Sequence, residues 1–306
     1  MERQVHFNYF WSKLQGDDFR RAVREFLDNG ADHFAMEGRM SDQIARDPER
    51  RAFLHRVCRE MGVHFSAVHG MDGDAFDLNI PTMERRPGMF RDHVAAMRAA
   101  AEFGCRTYVV HVGASFYTYK HVPLETLRPL AVDALEHLVP EAEKLGIVVA
   151  VENSFEKPNS AKELLKIVEP FRGSPAIGVC YDTGHANCMA SAPGKQKEKY
   201  EPYFPVCWWE DGVIWEDDAI DMLKDLVVTC HIHDNNGYGD LHGMPFDGTI
   251  NWTDLMKKLF ACPNMRDFQS EVSFRDGVGW AGKLLAPPGG YSIRRLTETF
   301  RKLGFR

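Results

Sequence analysis

The feature that most constrains this chain is an alternation of short apolar runs with longer amphipathic stretches, repeated eight times. The runs span residues 5–11, 33–37, 64–69, 107–112, 147–152, 176–182, 227–233 and 267–272. A strand that lacks a polar face is buried on both sides, which is the situation of a parallel strand covered by helices. The intervening segments fit that role. Residues 91–103 carry Val94, Met97 and Ala101, and residues 124–145 carry Leu127, Leu130, Ala134, Leu138 and Ala142, at the three-to-four residue spacing of one buried helix face. Eight such units in 306 residues predict an α/β fold, a closed (β/α)8 TIM barrel. An open dinucleotide-binding sheet is disfavoured, because no G-x-G-x-x-G follows the first run.

Composition narrows the function classes. At 44% hydrophobic and 26% charged residues, the chain is neither disordered nor a coiled coil. Its formal net charge of −7 gives no bulk attraction for a nucleic acid backbone or an anionic membrane. No apolar run approaches the roughly 18 residues of a membrane helix, and the opening residues lack a secretory pattern, so a cytoplasmic location is expected. Seven single cysteines without a CxxC pair argue against a disulfide framework or a thiolate zinc site. No linker divides the chain, which predicts one domain over residues 1–306. The irregular stretch at about 190–212, with Lys195, Lys197, Lys199, Trp208 and Trp209, reads as an insertion at the barrel mouth. Its aromatics fit loop packing, a subunit contact or a substrate lid. Arg85, Arg86 and Arg91, with Glu84 and Asp92, read as a solvated helix face.

The functional signal lies where the runs end. The second ends at Glu37, the third at His69, the fourth beside His111, the fifth at Glu152 and the sixth at Asp182, with His185 three residues on. The seventh ends with His231 and His233, and the eighth holds Glu271. In a closed barrel all these ends meet at one rim, the rim where such folds carry their chemistry. A single histidine there is commonly a hydrogen-bonded structural residue, and a single glutamate can cap the next helix. A whole ring of imidazoles and carboxylates is different, because a divalent cation resolves its electrostatic cost. Mixed Glu, Asp and His suits Mn, Co, Mg, Fe or Zn. Phe7, Tyr9 and Trp11 alternate along the first run, and Trp11 is a candidate floor for a sugar ring.

These residues resemble the xylose-isomerase-like TIM-barrel superfamily, which includes sugar isomerases and epimerases and the endonuclease IV type of DNA repair enzyme. The resemblance rests on Glu152-Asn153, on Tyr181-Asp182-Thr183-Gly184-His185, and on His231-Ile232-His233-Asp234-Asn235. It extends to Asp240-Leu241-His242 and Ser270-Glu271-Val272. It implies one divalent ion (Mn, Co, Mg or Fe) held by Glu152, Asp182, His231 and Glu271. It also implies isomerisation or epimerisation of a ketose, aldose or related carbonyl through an enediolate, with Glu152 and Glu271 as the acid–base pair. A related dehydration or elimination belongs to the same class. His185 would hold a substrate oxygen, and His69, His111 and His233 are further candidates for substrate contact.

Where the nearest ketose 3-epimerases carry a glutamate and an arginine, this chain has Pro158 and Gly237, with Glu156 as a substitute for the first. The alternative is a trinuclear zinc phosphodiesterase acting on abasic DNA, in which His69, His111, His185, Asp240 and His242 supply further ligands. Asp72, Asp74 and Asp77 after His69 oppose a DNA backbone. A second alternative is a metal-binding, carbohydrate-binding subunit that needs a partner. A small carbohydrate substrate, no nucleic acid, no membrane and a homo-oligomer are the expected partner set.

Overall fold

The structure is a computed structural model that describes residues 4–113, 119, 121–191, 195, 199, 215–274 and 290–305. Eight parallel strands close into one barrel in chain order. They are β1 (Val5–Phe7), β2 (His33–Met36), β3 (His64–His69), β4 (Thr107–Val110), β5 (Val148–Glu152), β6 (Ile177–Asp182), β7 (Val227–Ile232) and β8 (Phe268–Ser270). The barrel closes through Val5 beside Phe268 and Phe7 beside Ser270. A (β/α)8 TIM barrel is therefore the architecture, with helices between the strands.

Strands β3, β5 and β6 follow their apolar runs closely, because those runs stay buried to their last residue. The first run is longer than its strand. After Phe7 the chain leaves the sheet and winds into a 3₁₀ turn at Trp11–Lys13. Trp11 packs there against Phe19, Phe26, Phe34 and Phe65, with ring centroids 4.9–5.6 Å apart. This aromatic cluster glues the sheet to the helices Gly16–Asp28 and Pro48–Met61.

The helix Leu124–Leu145 has the bounds its periodicity predicts, and Gly146 ends it in the left-handed region (φ 69°) that only glycine enters at no cost. The helix expected over 91–103 instead covers Arg86–Ala101. Pro87 sits in its first turn, where a missing N–H costs nothing. Arg86 is not part of a solvated face: its side chain is 2% exposed and donates to the carbonyls of Leu78, Ile80 and Leu130 and to Asp133. A planar fork with five donors can tie two loop carbonyls, one helix carbonyl and one carboxylate together, which explains why a charge is kept inside.

At the end of the barrel opposite the strand C-termini, Asp267 accepts hydrogen bonds from Thr107 and Thr229. His6 lies fully buried nearby, Nε2 2.8 Å from the Ser66 hydroxyl. Among the described residues, no helix is long and apolar enough to cross a membrane. Most of the stretch at 190–212, Trp208 and Trp209 included, lies outside the described residues.

Candidate metal centre

Register brings the rim residues together. Glu152 is the last residue of β5 and pairs with Cys180 on β6, Asp182 is the last residue of β6 and pairs with His231 on β7, and Glu271 directly follows β8. Ligand atoms of Glu152, Asp182, His231 and Glu271 all lie within 4.8 Å of one another. Nδ1 of His231 is 3.1 Å from Glu152 and 3.4 Å from Glu271. The first three side chains are shut off from solvent, and that of Glu271 is 14% exposed.

Around this core three further rim histidines are held in one repeated way. Nδ1 of His69 bonds the Gly70 carbonyl (2.7 Å), Nδ1 of His185 bonds the Asn153 carbonyl (2.9 Å), and Nδ1 of His242 bonds the Glu271 carbonyl (2.8 Å). A ring whose Nδ1–H is donated to a carbonyl keeps an Nε2 lone pair facing inward, the arrangement that orients metal-ligating histidines. Nε2 of His69 lies 3.2 Å from Nε2 of His111, which is itself 3.1 Å from Glu152. Nε2 of His185 is 3.5 Å and Nε2 of His242 is 3.0 Å from Asp240.

Asp182 is the most elaborately positioned ligand candidate. One carboxylate oxygen accepts from the His185 backbone N–H (2.6 Å) and so caps the helix Thr183–Met189. His233 does not join the ligand core of Glu152, Asp182, His231 and Glu271; its Nε2 reaches Asp182 at 2.9 Å and braces it. Gly184 makes room for that brace, since a Cβ there would run into the His233 ring. Asn153, whose side chain bonds both the N–H and the carbonyl of Asp182, is a positioning residue that sequence reasoning gave no role. An amide with a donor and an acceptor suits a paired backbone, and in the sequence only its place in the Glu152-Asn153 motif marks it.

The electrostatics match a cation site. Burial opposes charge on His111 and His231, yet Glu152 outweighs it and pushes the imidazoles up to about 10 and about 9. Burial likewise opposes charge on His242, and Asp240 raises it to about 10. Glu152 is held well below the usual carboxylate range, because His231 and His111 overcome its own burial. These residues fit a divalent ion by a direct observation. Both ring nitrogens of His231 are buried, and neither has a hydrogen-bond partner among the described residues. A lone pair aimed among three carboxylates is what an ion takes, in place of the protons the imidazoles otherwise carry.

Two expectations are corrected. Trp11 is wholly buried in the aromatic cluster between sheet and helices, so it offers no face to a sugar. Glu37 does not end a strand; it follows β2 and precedes the helix Gly38–Arg46, and its Oε1 accepts from the Ser12 N–H at 2.7 Å. Glu156 is buried and accepts from the Asn159 amide at 3.3 Å, and burial raises its carboxyl above the usual range.

Glu271 also borders a cavity of about 880 Å³, walled by Tyr9, Glu37, Met71, Phe76 and Phe274 among others. The volume suits a small organic molecule.

The chain belongs to the family described as the xylose isomerase-like TIM barrel, whose model matches residues 23–264. It is similar to the uncharacterized protein y4fM of Sinorhizobium fredii, with 28% identity over 237 residues, 70% of this chain and 68% of that one. Among solved structures, it resembles D-psicose 3-epimerase in the presence of D-fructose (TM-score 0.71, 15% identity, 98% of this chain and 96% of that one). It also resembles a xylose isomerase-like TIM barrel protein from Mycobacterium smegmatis in complex with magnesium (TM-score 0.67, 13% identity, 98% and 95%).

Proposed function

We propose that this chain is a divalent-metal-dependent sugar isomerase or epimerase, with Glu152, Asp182, His231 and Glu271 holding the ion. The observation that carries this reading is the approach of Glu152 and Glu271 to the same ring nitrogen of His231, with Glu271 also bordering the cavity. The ion, when bound, polarises a substrate carbonyl and acidifies the neighbouring C–H.

The two carboxylates then perform the proton chemistry. Glu271, the more exposed, takes the proton from the carbon next to the carbonyl, and the C–H electron pair moves toward the carbonyl oxygen. For epimerisation Glu152 passes a proton taken up from solvent to the other face of that carbon while Glu271 returns its proton to solvent; for isomerisation the proton goes to the neighbouring carbon as the adjacent hydroxyl gives its own proton to the former carbonyl oxygen. His185 is placed by Asn153 to hold a substrate oxygen, and His69 and His111 are candidates for the same work. His233 contributes through Asp182. The likeness to D-psicose 3-epimerase supports a carbohydrate substrate.

The test is solvent deuterium uptake into ketohexoses, followed by NMR on metal-loaded protein. Uptake at the carbon beside the carbonyl supports the reading; no uptake into any ketohexose or aldohexose counts against it.

A second reading has its own observation. His69, His111 and Glu152 form a further group that could hold an ion, and His185 and His242 both approach Asp240. That set would serve three zinc ions and phosphodiester cleavage. The exposed Asp72 in the cavity wall opposes a DNA backbone and favours the sugar reading.

A further inference from the structure

The loop between β3 and the helix Arg86–Ala101 carries Met71, Asp72 and Phe76, all three in the wall of the cavity beside Glu271. Within it the Phe76 N–H bonds the Gly73 carbonyl (2.9 Å) and the Gly73 N–H bonds Asp77 (2.8 Å), contacts that shape the loop without tying it to the barrel. Two wholly buried side chains outside the loop tie it down. Nε2 of His93, in the helix, is 2.8 Å from the Phe76 carbonyl, and its Nδ1 is 2.9 Å from the hydroxyl of Tyr108 on β4. A carbonyl only accepts, so Nε2 carries the proton, and the neutral ring accepts at Nδ1 from the Tyr108 O–H. Burial keeps the ring in that form: it lowers the imidazole below its usual range, although the Phe76 carbonyl, Asp92 and Asp72 pull the other way. Burial raises the Tyr108 phenol, and a bond from the Met71 backbone works against that. One buried chain thus runs from Met71 through Tyr108 and His93 to Phe76, and the Phe76 and His93 rings meet edge-on with centroids 6.3 Å apart.

We infer that His93 and Tyr108 are positioning residues for substrate binding: they fix the cavity wall at Met71 and Phe76, and so set KM while leaving kcat unchanged. This rests on the sugar-enzyme reading and deepens it. Neither residue is part of the cavity wall or of the ligand core, so both act through the loop. The helix grips that loop twice. Arg86 and His93 lie seven residues, two turns, apart on one helix face, the first on the carbonyls of Leu78 and Ile80 and the second on that of Phe76. An apolar pair could fill the same volume, but it would supply no donor to the Phe76 carbonyl. Removing either polar group leaves its buried partner unmatched, and the wall relaxes to relieve that cost. The proton chemistry sits on Glu152 and Glu271, carried by β5 and the end of β8, so a displaced wall loosens the hold on the whole substrate and not the transfer itself.

The experiment pairs hydrogen–deuterium exchange with steady-state kinetics on ketohexoses, for the metal-loaded protein and its variants. Tyr108→Phe deletes one hydroxyl, His93→Leu removes both ring nitrogens, and His93→Gln keeps a donor and an acceptor in one amide. Tyr108→Phe and His93→Leu should each speed exchange across residues 70–78 at least about fivefold, with the helix Ile293–Lys302 unchanged, and raise KM about fivefold to tenfold with kcat within about twofold. His93→Gln should recover most of both losses, which a change of packing volume alone would not do. If His93→Leu does not fold, Tyr108→Phe decides the matter. Unchanged exchange over 70–78 overturns the anchor whatever the sugars do. Faster exchange with KM unmoved, or with kcat falling in place of a rise in KM, overturns the substrate role and leaves the sugar-enzyme reading standing. No turnover of any ketohexose by the unaltered protein overturns the sugar-enzyme reading and the substrate role together.

Discussion

Nδ1 of His231 lies 3.1 Å from Oε1 of Glu152, and the imidazole has no hydrogen-bond partner of its own among the described residues. Proteins seldom leave a buried ring nitrogen without a hydrogen bond, because only the charge of its neighbours then offsets its desolvation. Here the same ring faces Glu152, Asp182 and Glu271. The pair makes sense as two ligands of one ion, held by the scaffold of β5 and β7.

Glu152→Gln and Glu271→Gln keep the size of each side chain and remove its capacity to accept a proton. Each should lower kcat for proton exchange by about a thousandfold or more, with the far-ultraviolet circular dichroism unchanged. Substantial residual exchange in both variants would sink the two-glutamate mechanism.

Metal removal should destabilise the protein. An ion at a hundred times its Kd contributes about 2.7 kcal/mol, which for a chain of this size corresponds to a fall in Tm of about 5 °C. Scanning calorimetry with and without chelator reads this directly. In Asp182→Asn the metal-dependent increment should shrink by more than half, because the caps and braces survive but the ligand charge does not.

Arg86→Met removes the donors that hold the carbonyls of Leu78, Ile80 and Leu130. Leaving those groups unmatched should cost about 3 kcal/mol in urea unfolding. Asp133→Asn should cost much less, about 1 kcal/mol or under, because that carboxylate is half exposed. Equal losses would mean that the ion pair, not the carbonyl clamp, is what matters.

His6 gives a pH signature separate from the metal centre. Burial, opposed by Asp267, lowers its imidazole from 6.5 to about 4 in the folded barrel. Between those values the unfolded chain binds the proton and the folded one does not. Stability is therefore intact above about 6.5 and falls as the pH drops toward about 4, by up to about 3 kcal/mol from this one group. Urea midpoints between pH 7 and pH 4.5 should decline less steeply in His6→Gln than in the unaltered protein.

What was legible in the sequence follows from what local patterns encode. The eight apolar runs predict the closed barrel because strands buried on both faces have no other economical cover, and β3 and the helix Leu124–Leu145 have their predicted bounds. Strand ends predict which rim residues gather, since a parallel barrel aligns all its C-termini. Local pattern fails where an apolar or charged residue serves a distant partner. Trp11 reads like strand but leaves the sheet to fill the aromatic cluster, and Arg86 reads like surface but clamps carbonyls up to 44 positions away. Asn153 belongs to the Glu152-Asn153 motif, but its role is silent in the sequence for the same reason: it depends on which backbone atoms the fold sets beside its side chain.

Elemental mass spectrometry of protein purified without added metal or chelator reads the ion itself. About one Mn, Co, Mg or Fe ion per chain is expected, and its loss in Asp182→Asn. Close to three zinc ions per chain would contradict this expectation and move the chemistry to phosphodiester cleavage.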